Sequence, residues 1–173
     1  MTTGTLLALF SKMDTDSAHK SNWAIAEIVF GVPCLIGIGL QFVFPFSLYH
    51  GIVNNILVAV GITLIMTSIV FIVLSRRELS DYGQPTDPGH PTSKIVKTGM
   101  FSISRNPLYL SAVILFFGIG LMMNTFWVLV ALLVSIIACH FILIIPEERY
   151  LAAKFGEEYK DYTNIVHRWF GRR

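Results

Sequence analysis

The sequence predicts an all-α integral membrane protein of about four transmembrane helices, with a C-terminal helical hairpin followed by an amphipathic cytoplasmic helix. Three observations predict it. Hydrophobic residues make up 54% of the chain and charged residues only 14%, against about a quarter charged in soluble domains. Apolar runs of the length needed to cross ~30 Å of hydrocarbon recur along the chain. With four crossings, all 13 Lys and Arg residues fall on one side and the two opposite turns carry none. The positive-inside rule makes that side cytoplasmic, with both termini on it, in a bacterial inner membrane or the endoplasmic reticulum.

A chain of 173 residues is read as a single membrane domain. Residues 1–75 supply the N-terminal spans, 76–104 a cytoplasmic loop, and 105–173 a hairpin and tail. The first ten residues, MTTGTLLALF, lack a basic n-region and hold too short an apolar core for a secretory signal, though they can dip into the interface. A first span is expected over 23–40, with Glu27 one turn inside it, an ionisable group near the boundary. QFVFPFSLYHG connects it to a second span over 52–74, whose Asn54, Asn55, Thr63, Thr67 and Ser68 suit bonding between helices. The Pro, Gly and Asp content of 75–104 argues against a long helix there, and a loop of that length is usually functional. RNPLY follows, with Pro107 at the first position of a third span, 108–123. Asn124 and Thr125 make a tight turn into a fourth span, 126–145. Cys34 and Cys139 both lie inside spans and carry neither disulfide nor metal spacing.

The hairpin of spans three and four returns the chain to its starting side. It brings Arg105, Asn106 and Tyr109 beside Glu147, Glu148 and Arg149 at the cytoplasmic mouth. His140 precedes Glu147 by seven residues, so an unbroken helix would place both on one face, about 20° apart. Pro146 disturbs that register, and a packed, hydrogen-bonded histidine is the simpler role for His140. From Leu151 through Phe155, Tyr159, Tyr162 and Val166, apolar residues recur at helical spacing among charges, as in a helix lying on the membrane surface. Gly118, Gly120, Ala112 and Ser111 thin one wall of span three, which suggests lateral access from lipid to the mouth.

KTGMFSISRNPLYL, followed beyond the hairpin by PEERYLAAKFGEEYKDYTNIVHRWF, resembles the isoprenylcysteine carboxyl methyltransferase superfamily, which includes phospholipid methyltransferases. Gly99, Arg105, Pro107 and Tyr109 match the first half of its two-part pattern. Glu147, Glu148, Leu151, Phe155, Gly156, Tyr159, Tyr162 and Arg168 match the second. Asn106 stands where many members have histidine. The resemblance covers about residues 94–170 and implies S-adenosylmethionine as methyl donor, bound without a Rossmann domain. It implies catalytic roles for Glu147, Glu148 and Arg168. It implies donor contacts from Gly99, Arg105, Asn106, Pro107, Tyr109, His140 and Glu148. The chemistry suits these residues: methyl transfer from a sulfonium needs orientation and electrostatics, a cation favours carboxylates and aromatic faces, and a donor carboxylate favours a guanidinium. Which of the two glutamates acts is left open.

The expected partners are the lipid bilayer and a lipophilic or small-molecule acceptor: an isoprenylcysteine-like carboxylate, a lipid amine or a small thiol. Nucleic acid is excluded by a net charge of +2 with no basic run, and no metal site is expected. Two rival readings are a membrane reductase related to sterol reductases, which end in a similar tail but carry an Arg-Cys pair absent here, and a non-catalytic membrane partner protein.

Overall fold

A computed structural model describes residues 24–85 and 92–173. The expectation for residues 1–11 lies outside the described residues. The architecture is all-helical, in the order α1 (Ala24–Val43), α2 (Gly51–Asp81), a 3₁₀ turn (Gly99–Ser102), α3 (Pro107–Met122) and α4 (Phe126–Ala138). A π-helical segment (Cys139–Ile144), α5 (Ile145–Phe155) and α6 (Glu157–Ile165) complete it. Among the described residues, three helical stretches are long and apolar enough to cross a membrane: Ala26–Val43, Gly51–Asp81 and the continuous rod Phe126–Phe155. α3 is apolar but has 16 residues, about 24 Å at the α-helical rise, and falls short of that length.

Two helices run further than the sequence suggests. α2 continues through Ser75–Ser80 to Asp81 instead of stopping near residue 74. The residues added, ending in RRELSD, are ordinary helix formers with Arg77 and Asp81 3.9 Å apart at i,i+4. The breakers lie beyond them, and Gly83, at φ +63°, marks the stop. The fourth span likewise continues past Pro146 to Phe155. A proline inside an α-helix removes a hydrogen bond and drives its ring at the carbonyl four residues back. The π turn immediately before it widens the rod locally, so the chain passes the proline without breaking.

α2 packs on α3, α3 on α4 and α4 on α1, whereas α1 and α2 pack little against each other. A Cβ on Gly61 of α2 would lie 2.7 Å from the Gly118 carbonyl oxygen, and one on Gly118 2.8 Å from the Gly61 carbonyl oxygen. The two backbones touch there, as small residues allow between membrane helices. Ser68 adds a buried hydrogen bond, its hydroxyl donating to the Ser111 carbonyl at 2.7 Å. Gly120 packs against Leu129 of α4. Gly118, Gly120 and Ser111 are therefore consumed by helix packing and do not thin a wall toward lipid. Of the four small residues, only Ala112 faces the open space described below.

Gly118→Val is expected to force α2 from α3 and to destabilise the fold by about 1–3 kcal/mol. Thermal unfolding in detergent checks this, and an unchanged midpoint contradicts the close approach.

At the end away from the charged segments, Asn124 closes the hairpin at φ +50°. Its amide oxygen accepts the Leu48 and Tyr49 N–H groups at 3.0 and 3.1 Å, and its amide nitrogen donates to the Tyr49 carbonyl at 2.8 Å. The Trp127 indole donates to the Phe44 carbonyl at 2.7 Å. These bonds fix the α1–α2 connection on the hairpin turn. The core lies between α1 and the rod, around Phe30, Leu132, Cys139, Leu143 and Ile144, with Phe116 stacked on Phe30 at 5.7 Å.

Candidate functional site

The charged end of the bundle is assembled from α3's approach, the start of α5 and the tail beyond α6. Residues 101–106 are tied both to the tail's backbone and to α6. The Arg105 N–H donates to the His167 carbonyl at 3.1 Å, and the Gly171 N–H to the Ile103 carbonyl at 2.8 Å. The Asn106 amide donates to the Arg168 carbonyl at 3.1 Å. The Tyr162 hydroxyl donates to the Phe101 carbonyl at 2.6 Å. Asn106 thus has a definite structural partner in this chain. Gly156, at φ +53° and ψ −122°, turns the chain between α5 and α6, in a region L residues avoid. That turn lets α6 fold back so that Tyr159 and Tyr162 pack over Ile95, Leu151 and Phe155.

The two adjacent glutamates face different partners. Glu148 is bound by both arginines: Arg168 donates through Nε and Nη2 at 2.9 and 2.6 Å, and Arg105 Nη1 lies 3.2 Å away. A bidentate fork of this kind is the strongest form of carboxylate pairing. It raises the affinity of Arg168 for its proton above the ordinary value, the Glu148 hydrogen bond being the main cause. Glu147 has a single protein partner among the described residues, the Tyr109 hydroxyl, which donates to Oε2 at 3.1 Å. Arg105 also lies 3.4 Å from the Tyr159 hydroxyl. Burial above all, with the Glu148 charge behind it, pushes the Tyr159 phenol up to about 12. Burial and the neighbouring Tyr159 push Tyr162 in the same direction.

A cavity of about 510 Å³ opens between these groups, in the gap between α1 and α2 over one face of α3. Arg105, Asn106, Pro107, Tyr109, Glu147 and Glu148 all line it. Arg105's side chain is 10% exposed, yet its buried Nε has no hydrogen-bond partner among the described residues. An unpartnered buried guanidinium nitrogen is costly unless a ligand takes it.

Gly99, His140 and Arg168 do not line the cavity. Gly99 sits against Glu78 of α2 at φ +53°, and the neighbouring Thr98 hydroxyl bonds the Glu78 carboxylate. His140 lies in the π segment, edge-on to Phe141 at 5.0 Å, and that segment undoes the simple α-helical register with Glu147. Arg168 reaches the site only through Glu148. Gln84, Arg76 and Lys94 also line the cavity, and no motif in the sequence marks them. Their position depends on α2 running on to Asp81, which the composition of the loop concealed.

The profile of the phospholipid methyltransferase family matches residues 56–158, from within α2 to the start of α6. The chain belongs to the phospholipid methyltransferase family. It is an integral membrane protein of a methyltransferase family, as the two-part pattern around the hairpin implies. No curated protein and no solved structure matches it. Among the described residues there is no group of His, Cys, Asp and Glu able to hold a metal ion. The family match includes Arg105, Tyr109, Glu147 and Glu148, whereas α1 with Glu27 and the tail with Arg168 lie outside it.

Proposed function

We propose that this cavity binds S-adenosylmethionine and directs its methyl group to the amine of a membrane-associated lipid, at the cytoplasmic face. The observation that carries the reading is the buried Nε of Arg105, without a hydrogen-bond partner among the described residues, in the same cavity as Glu147. The residues fit the donor. A volume of about 510 Å³ is within the range of cavities that hold ligands of this size, ~300–1,000 Å³. Arg105 offers a charge-assisted bond to an amino-acid carboxylate, and Glu147 with the Tyr109 ring offers a field that favours a sulfonium. The donor supplies a methyl group on a positively charged sulfur, open to in-line attack.

The rest is done by the chain's own groups. Glu148 holds Arg105 and Arg168 together and leaves the remaining edge of Arg105 free for the ligand. Glu147, not tied to an arginine, is the glutamate free to act. It draws an ammonium toward the site and takes a proton from its nitrogen, freeing the lone pair that attacks. Tyr109 holds the carboxylate in position by its 3.1 Å bond. A second carboxylate, Glu27 on α1, lines the same space. Two carboxylates favour a cationic amine acceptor over a free carboxylate or a neutral thiol. Little packing joins α1 to α2, so the acyl part of a lipid can enter the gap while its head reaches the mouth.

The test is transfer of labelled methyl from S-adenosylmethionine in reconstituted membranes. Label is expected in an aminophospholipid, with little in a farnesylcysteine or a long-chain thiol. Label in farnesylcysteine alone contradicts the amine assignment, and label in none of the three contradicts the reaction.

A further inference from the structure

The cavity has a second polar wall that the reaction above does not use. Arg76, near the end of α2, and Lys94, in the approach to the 3₁₀ turn, both line it. Among the described residues neither forms an ion pair. Their neighbours do: Arg77 with Asp81 at 3.9 Å, and Lys97 with Glu158 at 2.8 Å. Lys94 is also held in place. Gln84 is 5% exposed, and its amide oxygen accepts the Ser93 and Lys94 N–H groups at 2.8 and 3.1 Å. A buried glutamine thus anchors the backbone that presents Lys94 at the cavity. Glu27 and Glu147 line the same space from α1 and α5, and Ile72, Leu115 and Phe116 supply apolar wall.

We propose that Arg76 and Lys94 form an anion subsite that holds a phosphate beside the amine being methylated. The proposal rests on the amine-acceptor reading above and adds the residues that select the acceptor. Besides the paired Arg105 and Glu148, the cavity's two other cations and two other carboxylates complement a zwitterion, with its phosphate on α2 and the loop and its amine toward Glu147. The gap between α1 and α2 leaves room for the hydrocarbon attached to that phosphate. Both cations are exposed, so their contribution is modest, screened by salt, and directed to choice of ligand.

Binding measured by calorimetry without donor, on the full chain in maltoside micelles, tests this separately from turnover. The probes are a short-chain phosphoethanolamine lipid, an alkylamine of matched chain length, and inorganic phosphate. Arg76→Gln and Lys94→Gln are each expected to weaken the lipid roughly five- to tenfold and the alkylamine less than twofold. Arg77→Gln removes the same charge one residue along α2, outside the cavity lining. It is expected to leave both affinities within twofold, and inorganic phosphate is expected not to displace the lipid. Equal weakening by Arg77→Gln would reduce the pair to general surface attraction and overturn the proposal. So would equal losses for lipid and alkylamine, no loss for either, or displacement by free phosphate. A protein that shows the expected losses but transfers no methyl retains the subsite and loses the reaction. One that methylates an amine while binding is indifferent to Arg76 and Lys94 does the reverse.

Discussion

Glu147→Gln is expected to lower turnover by ~10²–10³-fold, the usual contribution of a positioned general base, while changing donor affinity only a few-fold. Gln keeps the shape and can still accept the Tyr109 bond, so the fold and the cavity are preserved. What it loses is the ability to take a proton from an ammonium. Steady-state rates across pH, set beside equilibrium donor binding, separate these effects. Raising the pH supplies more neutral amine and is expected to restore part of the lost rate in the variant. A variant with parental turnover would remove Glu147 from the chemistry, and a variant that loses donor binding in proportion to rate would make it a binding group only.

The second large effect is on the neighbouring glutamate and is of a different kind. Glu148→Ala strips the counter-charge from two guanidiniums, one of them only 10% exposed. It is expected to destabilise the protein by about 2–4 kcal/mol and to detach the tail that holds residues 103–106. Arg168→Ala is expected to cost less. Arg168 is 35% exposed, and Arg105 keeps its 3.2 Å contact with Glu148 when Arg168 is gone. Because both substitutions break one cluster, the double variant should fall short of their sum. Unfolding midpoints in detergent for the three variants check this, and strict additivity would deny the clamp.

The sequence makes some of this plain and hides the rest for physical reasons. The hairpin is legible because its turn, Asn124–Thr125, separates two apolar runs with nothing charged nearby. The meeting of Arg105 and Tyr109 with Glu147 and Glu148 follows from it. The division between the glutamates is not legible, since adjacent residues on a helix point about 100° apart and only the folded tail decides which meets arginine. α2's extension was masked by the Gly and Pro residues that follow it, although 76–81 itself contains no breaker. The π turn has no reliable sequence signature beyond Pro146 itself. Glycines at 118 and 120 read equally well as a thin wall or as contact points. The backbone contact with Gly61 settles that choice, and the open side lies between α1 and α2, two helices far from adjacent packing.

On the function proposed above, the cavity between Arg105 and Glu147 is a donor site. Calorimetric titration of the purified chain with S-adenosylmethionine tests it most directly, with Arg105→Met and His140→Ala measured alongside. One donor per chain is expected, with affinity reduced at least ~tenfold by Arg105→Met through loss of a charge-assisted contact, and no change for His140→Ala, since His140 lies off the cavity. Absence of donor binding in a folded parental protein would contradict it, as would binding of a nicotinamide dinucleotide in its place, or a donor affinity that follows His140 and ignores Arg105.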